Sequence, residues 1–300
     1  DAVLAIDLIQ TSVQRCVDNL EEETRARERV ESELRIAGDI QASLLPGEFP
    51  PFPDRKEIEI HATMEPARQV GGDYYDFFFI DSRRLCLTVG DVSDKGVPAA
   101  LFMAMCKTLL KSKAWRGLPC QQIVEETNDD LHADNRACMF VTLVFAVLDV
   151  ETGELQLCNC GHLAPLRLSS RGLEALSGPG GPMLGVMEGT RYPSASIRLE
   201  PGDLLFLYTD GLPDAQDPAG QSYSDRRMKE LLRGLTNRSP GELVREVEAA
   251  FRAFRGDRPA FDDITMLALR YWGPAGPASQ EPESPVRGAP GGDPRPPRPR

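Results

Sequence analysis

The sequence predicts an α+β fold, a layered sandwich preceded by one long N-terminal helix, and three observations predict it. Segments of strand character come in runs separated by pairs of helices, unlike the strict βαβ alternation of a parallel sheet. Ahead of Pro46, apolar residues recur at alternating spacings of three and four. Several apolar runs begin or end at aspartate, at points far apart in the chain.

Residues 1–45 read as a coiled-coil linker helix. Ile6, Ile9, Val13, Cys16, Leu20, Val30, Leu34, Ala37 and Leu44 keep one phase, and Glu23, Arg27 and Gln41 occupy the same register. A repeat of about 3.5 residues with a narrow stripe predicts a dimeric coiled coil, its polar sites weakening the seam while fixing register. The competing reading is a single amphipathic helix folded back on the domain. Charge alternates densely over Glu21–Glu33, as coiled-coil flanks require. Pro46 ends the helix, and residues 46–56 form a stiff proline-rich connector.

Residues 57–272 form the globular domain. Strands are predicted over Glu57–Met64, Tyr74–Ile80 and Arg84–Val89, the last two a hairpin around Asp81-Ser82. Val97–Trp115 is helical with Pro98 in its first turn, and Gln121–Ala133 is a second helix. Strand character returns at Phe140–Val150, Leu155–Cys160 and Ala164–Leu168, with Thr152-Gly153 as a turn. Asp203–Tyr208 is an apolar strand, Asp225–Leu235 and Pro240–Arg255 are helices, and Ile264–Tyr271 is the last strand. Residues 273–300 are dominated by Pro, Gly, Ser, Glu and Arg, which predicts a disordered tail. No internal repeat is visible.

Composition suits an enzyme: 41% of the 300 residues are apolar, enough for a sizeable core. A net charge of −12 excludes the basic stripe that nucleic-acid binding needs. No run approaches the roughly 18 apolar residues of a membrane span, and no basic-then-apolar leader opens the chain. The chain starts at Asp1, which reads as a fragment or processed chain. A cytoplasmic location is expected, or tethering to a membrane sensor if residues precede it. Seven cysteines are an odd number for a disulfide scaffold and fit buried thiols in a reducing compartment. Cys158 and Cys160 lack a second Cys or His pair at zinc spacing. With three histidines, His61, His132 and His162, histidine chemistry has few candidates.

The chemistry lies in the aspartates. Asp73 follows Gly71-Gly72, Asp91 follows Gly90, Asp210 ends an apolar strand, and Asp262-Asp263 precede another. Gathered at one edge of a sandwich, such carboxylates repel and raise each other's pKa unless a cation neutralises them, so a hard divalent metal is the first expectation. The Gly90–Gly96 loop could present Asp91 and a backbone carbonyl to a cation, or could cap the next helix through Ser93 or Asp94. Asp214 lies in the loop after Gly211 without a placed role. Arg68 is either a phosphate clamp or a surface arginine. His162 is either a proton donor to a leaving oxygen or a hydrogen-bonded turn residue.

Val70-Gly71-Gly72-Asp73-Tyr74-Tyr75-Asp76-Phe77, Gly90-Asp91-Val92-Ser93, Phe140-Val141-Thr142, Asn159-Cys160-Gly161-His162, Tyr208-Thr209-Asp210-Gly211 and Asp262-Asp263-Ile264-Thr265, in that order, resemble the PPM-type metal-dependent protein phosphatases, closest to the bacterial SpoIIE/RsbU branch. The resemblance covers residues 57–271, and the helix before it is similar to the linker that joins sensor modules to such domains. It implies an antiparallel β-sandwich flanked by helices, holding two Mn²⁺ or Mg²⁺ ions between the sheets. Carried over, Asp73 bridges both ions, Asp210 and Asp262 complete one, and Asp91 with the Val92 carbonyl serves the other. Asp263 is the less certain ligand of its pair. The implied chemistry is hydrolysis of phosphoserine or phosphothreonine by a metal-activated water. The implied substrate is a STAS-type anti-sigma-factor antagonist, under control of an upstream sensor acting through Val97–Trp115 and Gln121–Ala133. One departure stands out: the family loop carries glycine where this chain has Asp94, a position aspartate can fill if φ is positive. The rival reading is a non-catalytic dimeric interaction module of the same fold, which degenerate carboxylates would favour and the four intact ones do not. A small-molecule phosphatase or phosphodiesterase would share the metal site.

Overall fold

The computed structural model describes residues 2–277, with side chains from residue 12. Helix α1 (Ala2–Leu44) leads into strands β1 (Ile58–Glu65), β2 (Tyr74–Phe79) and β3 (Arg84–Val92), then helices α2 (Val97–Ala114) and α3 (Cys120–Ala133). Strands β4 (Val141–Asp149), β5 (Glu154–Cys160), β6 (Leu166–Ser169), β7 (Gly172–Ala175), β8 (Gly180–Gly181), β9 (Ser194–Arg198) and β10 (Leu204–Tyr208) follow. Helices α4 (Asp225–Arg233) and α5 (Pro240–Arg255) precede the last strand, β11 (Ile264–Tyr271). The predicted tail lies largely outside the described residues.

These elements form the predicted sandwich. One sheet has the order β1-β11-β10-β6-β7; the other runs β2-β3-β4-β5-β8, with β9 paired to β5. All pairings but the two-residue β5–β8 contact are antiparallel. Period-two alternation explains the layering. Leu205 and Leu207 of β10, with Leu267, Leu269 and Tyr271 of β11, turn toward the core shared by the sheets. Leu204, Phe206 and Tyr208, with Ile264, Met266 and Ala268, turn the other way, onto Leu243, Val244, Val247 and Phe251 of α5. Both faces of this sheet are therefore apolar, which is why β10 and β11 read as continuous hydrophobic runs. The core side chains pack at about 25 cal/mol per Å² of apolar surface removed from water, the main favourable term holding the layers.

Strands β7 to β9 were not expected from the sequence. Gly180–Gly181 has no side chains to show alternation, and Ser194–Arg198 is a short strand whose residues are exposed or half-buried. Strand β3 also runs three residues further than its apolar run, because Gly90, Asp91 and Val92 stay in register with Leu143, Thr142 and Val141. Gly90 is required there: a Cβ would stand 2.5 Å from the Tyr74 ring across the ladder.

Helix α1 serves two environments. Val13, Cys16, Val17, Leu20 and Val30 are exposed, whereas Leu34 and Ala37 are half-buried and Gln41 and Leu45 are buried against the domain. The expected polar seam residue Gln41 is thus tied to its own domain: Gln41 Nε2 donates to Gly71 O at 2.7 Å, and Gly71 N donates to Gln41 Oε1 at 3.0 Å. Leu44 of the predicted seam is exposed, and Leu45 packs in its place. The close docking explains a glycine inside the helix, since a Cβ on Gly38 would meet Gln69 O at 2.3 Å. The connector is pinned as well. Phe49 and Phe52 pack against the core, Phe49 lies 4.4 Å from the His61 ring, and Tyr75 donates to Pro46 O at 2.7 Å.

Helix α2 is anchored by a buried ion pair. Asp76 of β2 accepts from Lys107 Nζ at 2.6 Å, their side chains only 2% and 11% exposed. Removing one partner strands the other charge out of water. Asp76→Ala should therefore cost about 3 kcal/mol in chemical denaturation, and Asp76→Ala with Lys107→Met should cost less than the single change.

Candidate metal centre

Register brings the predicted aspartates to one end of the sandwich. Tyr74 pairs with Gly90 and Val92 with Val141, so the start of β2, the end of β3 and the start of β4 share one sheet edge. Tyr208 pairs with Met266, and Glu65 with Ile264, so the end of β10 and the start of β11 share one edge of the other sheet. Asp73, Asp91, Asp210 and Asp262 therefore emerge from four different strand ends facing one another.

Two side chains lock these ends together: Thr209, which the sequence did not single out, and Asp263, expected as the less certain ligand of its pair. Thr209 Oγ1 donates to Asp73 Oδ2 at 2.7 Å and accepts from Thr265 N at 2.9 Å, which fixes the hydroxyl in one orientation. Asp263 is employed in structure. Its Oδ1 accepts from Ala67 N at 2.7 Å, and its Oδ2 accepts from Gly72 N at 2.8 Å. The glycines exist for this approach: a Cβ on Gly71 would meet Asp263 Oδ2 at 2.2 Å, and one on Gly72 would meet Val92 O at 2.7 Å. The Val92 carbonyl consequently lies one residue from Asp73, as a shared cation would need.

The electrostatics report crowding. Burial, and then the Asp91 carboxylate beside it, push Asp73 well above the ordinary carboxylate range. Burial, then Asp210 and Asp262, push Asp91 up to about 7. Burial, then Asp262 and Asp214, raise Asp210, so Asp214, for which no role was expected, stands near the cluster. Thr265 Oγ1 is buried with no protein partner. Oxygen donors, mutual repulsion and an orphaned hydroxyl suit a hard divalent cation. The set is assembled but not closed: among the described residues, no three acidic, histidine or cysteine side chains converge on one point as a finished cage.

The loop after β3 differs from the capping alternative. The N-cap of α2 is Gly96, at φ 83° and ψ −155°, with no side-chain cap. Ser93 instead fastens the loop to β4, its N donating to Phe140 O at 2.8 Å and its Oγ accepting from Phe140 N at 2.9 Å. Asp94 adopts φ 73°, the positive value under which aspartate replaces glycine at tolerable cost. Lys95, also unanticipated, reaches Asp262 Oδ1 at 2.8 Å.

His162 is structural. Its Nε2 lies 3.1 Å from the Tyr208 carbonyl, so that nitrogen carries the proton, and Nδ1 accepts from Thr142 Oγ1 at 2.9 Å. The ring thereby ties β4 to β10 behind Asp210. Burial lowers its pKa to about 4, which leaves it neutral near pH 7 and both nitrogens occupied, against a role as general acid. Arg68 is exposed on the loop between β1 and β2 and makes no ion pair among the described residues. His61 is half-buried against Phe49, and His132 Nδ1 lies 3.4 Å from Gly185 O, away from the aspartates.

Because the fold holds His162 neutral, the unfolded chain takes up a proton that the folded chain refuses between its ordinary value of 6.5 and about 4. The stability it contributes is complete above this window and is lost as the pH falls through it. Imidazole NMR signals followed over pH 7 to 4 should show the His162 ring still neutral at pH 5 and protonating only near pH 4.

The Stage II sporulation protein E (SpoIIE) family model matches residues 81–272. Among curated relatives, Protein IcfG of Synechocystis sp. is 30% identical over 79% of this chain and 41% of its own length. The phosphoserine phosphatase RsbU of Bacillus subtilis is 27% identical over 81% and 71%. This chain thus spans only about two fifths of the first of these. The SiaA-PP2C domain of Pseudomonas aeruginosa superposes with a TM-score of 0.71 at 23% identity, covering 82% of this chain and 98% of that one. Fold and sequence match agree: the chain belongs to the SpoIIE family, the SpoIIE/RsbU branch of the PPM-type phosphatases.

Proposed function

We propose that the protein is a metal-dependent protein serine/threonine phosphatase of bacterial signalling. The observation that carries this reading is that Asp73, Asp91, Asp210 and Asp262 leave four strand ends at the same edge of the sandwich, each of the first three with a raised pKa. Asp73, Asp91, Asp210, Asp262 and the Val92 carbonyl would hold two Mn²⁺ or Mg²⁺ ions, which when bound neutralise the cluster and acidify a water for attack on phosphorus. Thr209 keeps Asp73 in one rotamer, and Asp263 holds the Ala67–Gly72 backbone that delivers it. Arg68, exposed beside this loop, is the side chain for clamping the phosphate, since guanidinium matches two phosphate oxygens at once. The substrate is a phosphorylated protein, as the name phosphoserine phosphatase of the similar chain RsbU suggests, and a STAS-type anti-sigma-factor antagonist, implied by the family resemblance, is the first to try.

The division of labour along the chain follows. Residues 1–45 form a linker that pairs two copies through the exposed Val13, Cys16, Val17, Leu20 and Val30, and residues 57–272 form the catalytic domain. An upstream sensor would act on the domain through α1, whose Gln41 grips the backbone two residues before Asp73. No described helix is long and apolar enough to cross a membrane.

Hydrolysis of a generic phosphoester should require Mn²⁺ or Mg²⁺ and should fall by at least about a hundredfold in Asp73→Asn and Asp210→Asn. Activity that survives both substitutions, or needs no divalent ion, removes the mechanism. For the linker, sedimentation should show a dimer that Val13→Glu with Leu20→Glu turns into a folded monomer. A dimer unaffected by those charges removes the coiled-coil interface.

A further inference from the structure

Lys95 is the one cation paired with any of the four site aspartates among the described ion pairs. Its ammonium lies 2.8 Å from Asp262 Oδ1, donates to Phe261 O at 2.8 Å and stands 4.9 Å from the centre of the Phe261 ring. The loop that carries it is set by its backbone: Asp94 and Gly96 both hold positive φ, and Ser93 is fastened to Phe140 from both sides. A long lysine on a free surface loop surrenders rotamer freedom for little gain. Here a rigid loop aims the ammonium at a carboxylate that repels Asp91 and Asp210, and the lysine's charge also lowers the pKa of Asp210. Both partners are half-buried, at 29% and 32% exposure, so the pair is screened less than a surface pair yet stays open to exchange.

We propose that Lys95 is a built-in counter-ion of the acidic site: its ammonium holds the place of a divalent cation at Asp262 and must be displaced when that cation binds. The chemistry is competitive. Asp262 cannot give the same oxygen to an ammonium and to a metal at full strength, and two cations crowded at one carboxylate repel. The lysine thus steadies the aspartate cluster when no divalent ion is present, and it sets a threshold on the ion concentration at which the site fills. The inference rests on the two-cation reading of the site and concerns only how filling is controlled.

The test measures Mn²⁺ binding to the full chain by titration calorimetry, and melting temperature in EDTA and in saturating Mn²⁺, for wild type, Lys95→Met, Lys95→Arg and Asp73→Asn. Lys95→Met should bind Mn²⁺ about five- to tenfold more tightly, the gain from losing one competing charge at a partly screened site. It should melt below wild type in EDTA and draw level in Mn²⁺, while Lys95→Arg, which keeps the charge, should bind as wild type does. A purely structural lysine would lower the melting temperature equally in both conditions and would not tighten binding, and that result overturns the proposal. Wild type that binds Mn²⁺ and loses it in Asp73→Asn, with Lys95→Met no tighter, overturns the counter-ion role alone. Wild type that binds no Mn²⁺ overturns the metal reading and this proposal together.

Discussion

The acidic edge of the sandwich depends on a backbone lock that works against its own charges. Four aspartates at one end of two sheets repel, and nothing in their side chains keeps them together. They are held by Asp263 and Thr209. Asp263, from the sheet that carries β11, accepts from Ala67 N and Gly72 N on the segment entering the other sheet. Thr209 bridges Asp73 and the Thr265 backbone across the same gap. Each bond is worth only about 1 kcal/mol net, but a buried carboxylate or amide left without its partner costs more than that, so the arrangement is strongly specified.

From this lock the remaining features follow in sequence. Gly71 and Gly72 are present because Asp263 and the Val92 carbonyl leave no room for a Cβ. The same close approach sets Val92 O beside the chain that delivers Asp73. Gln41 then closes on Gly71 from the far side, which makes the last turns of α1 part of the support for the site. The last turns of α1 therefore touch the backbone of Gly71, two residues from the most buried of the four carboxylates. Asp76, on the strand that Asp73 leads into, holds α2 to the domain through Lys107. Helices α1 and α2 are thus each fastened by buried polar contacts to the segment that carries Asp73 or to the strand that follows it.

His162 and Lys95 show how the same edge treats its basic side chains. His162 is kept neutral by burial and spends both ring nitrogens on the Thr142 hydroxyl and the Tyr208 carbonyl. Lys95 sits half-exposed at the open rim, where its ammonium pairs with Asp262. Position relative to solvent separates the buried strut from the half-exposed ion pair.

The layered sandwich, the long helix and the four principal aspartates were legible in the sequence. Burial imposes periods of 2 and 3.6 on apolar residues, and strand-end carboxylates beside glycine break those runs conspicuously. The strands β10 and β11 and the helix α5 were legible to within a residue, because both faces of that sheet are apolar. The edge strands β7 to β9 were not, since their pairing lies in backbone hydrogen bonds that leave no mark on side-chain pattern. The roles of Asp263, Thr209, Gln41 and Lys95 were decided only by tertiary structure. Asp263 is adjacent to Asp262 and chemically identical to it, yet one faces the site and the other the backbone of Ala67 and Gly72. Gln41 fits a coiled-coil register as well as it fits its hydrogen bonds to Gly71. Composition and spacing fix which groups a segment offers; which partner each group meets depends on residues 30 to 196 positions away, brought close by the packing of the two sheets.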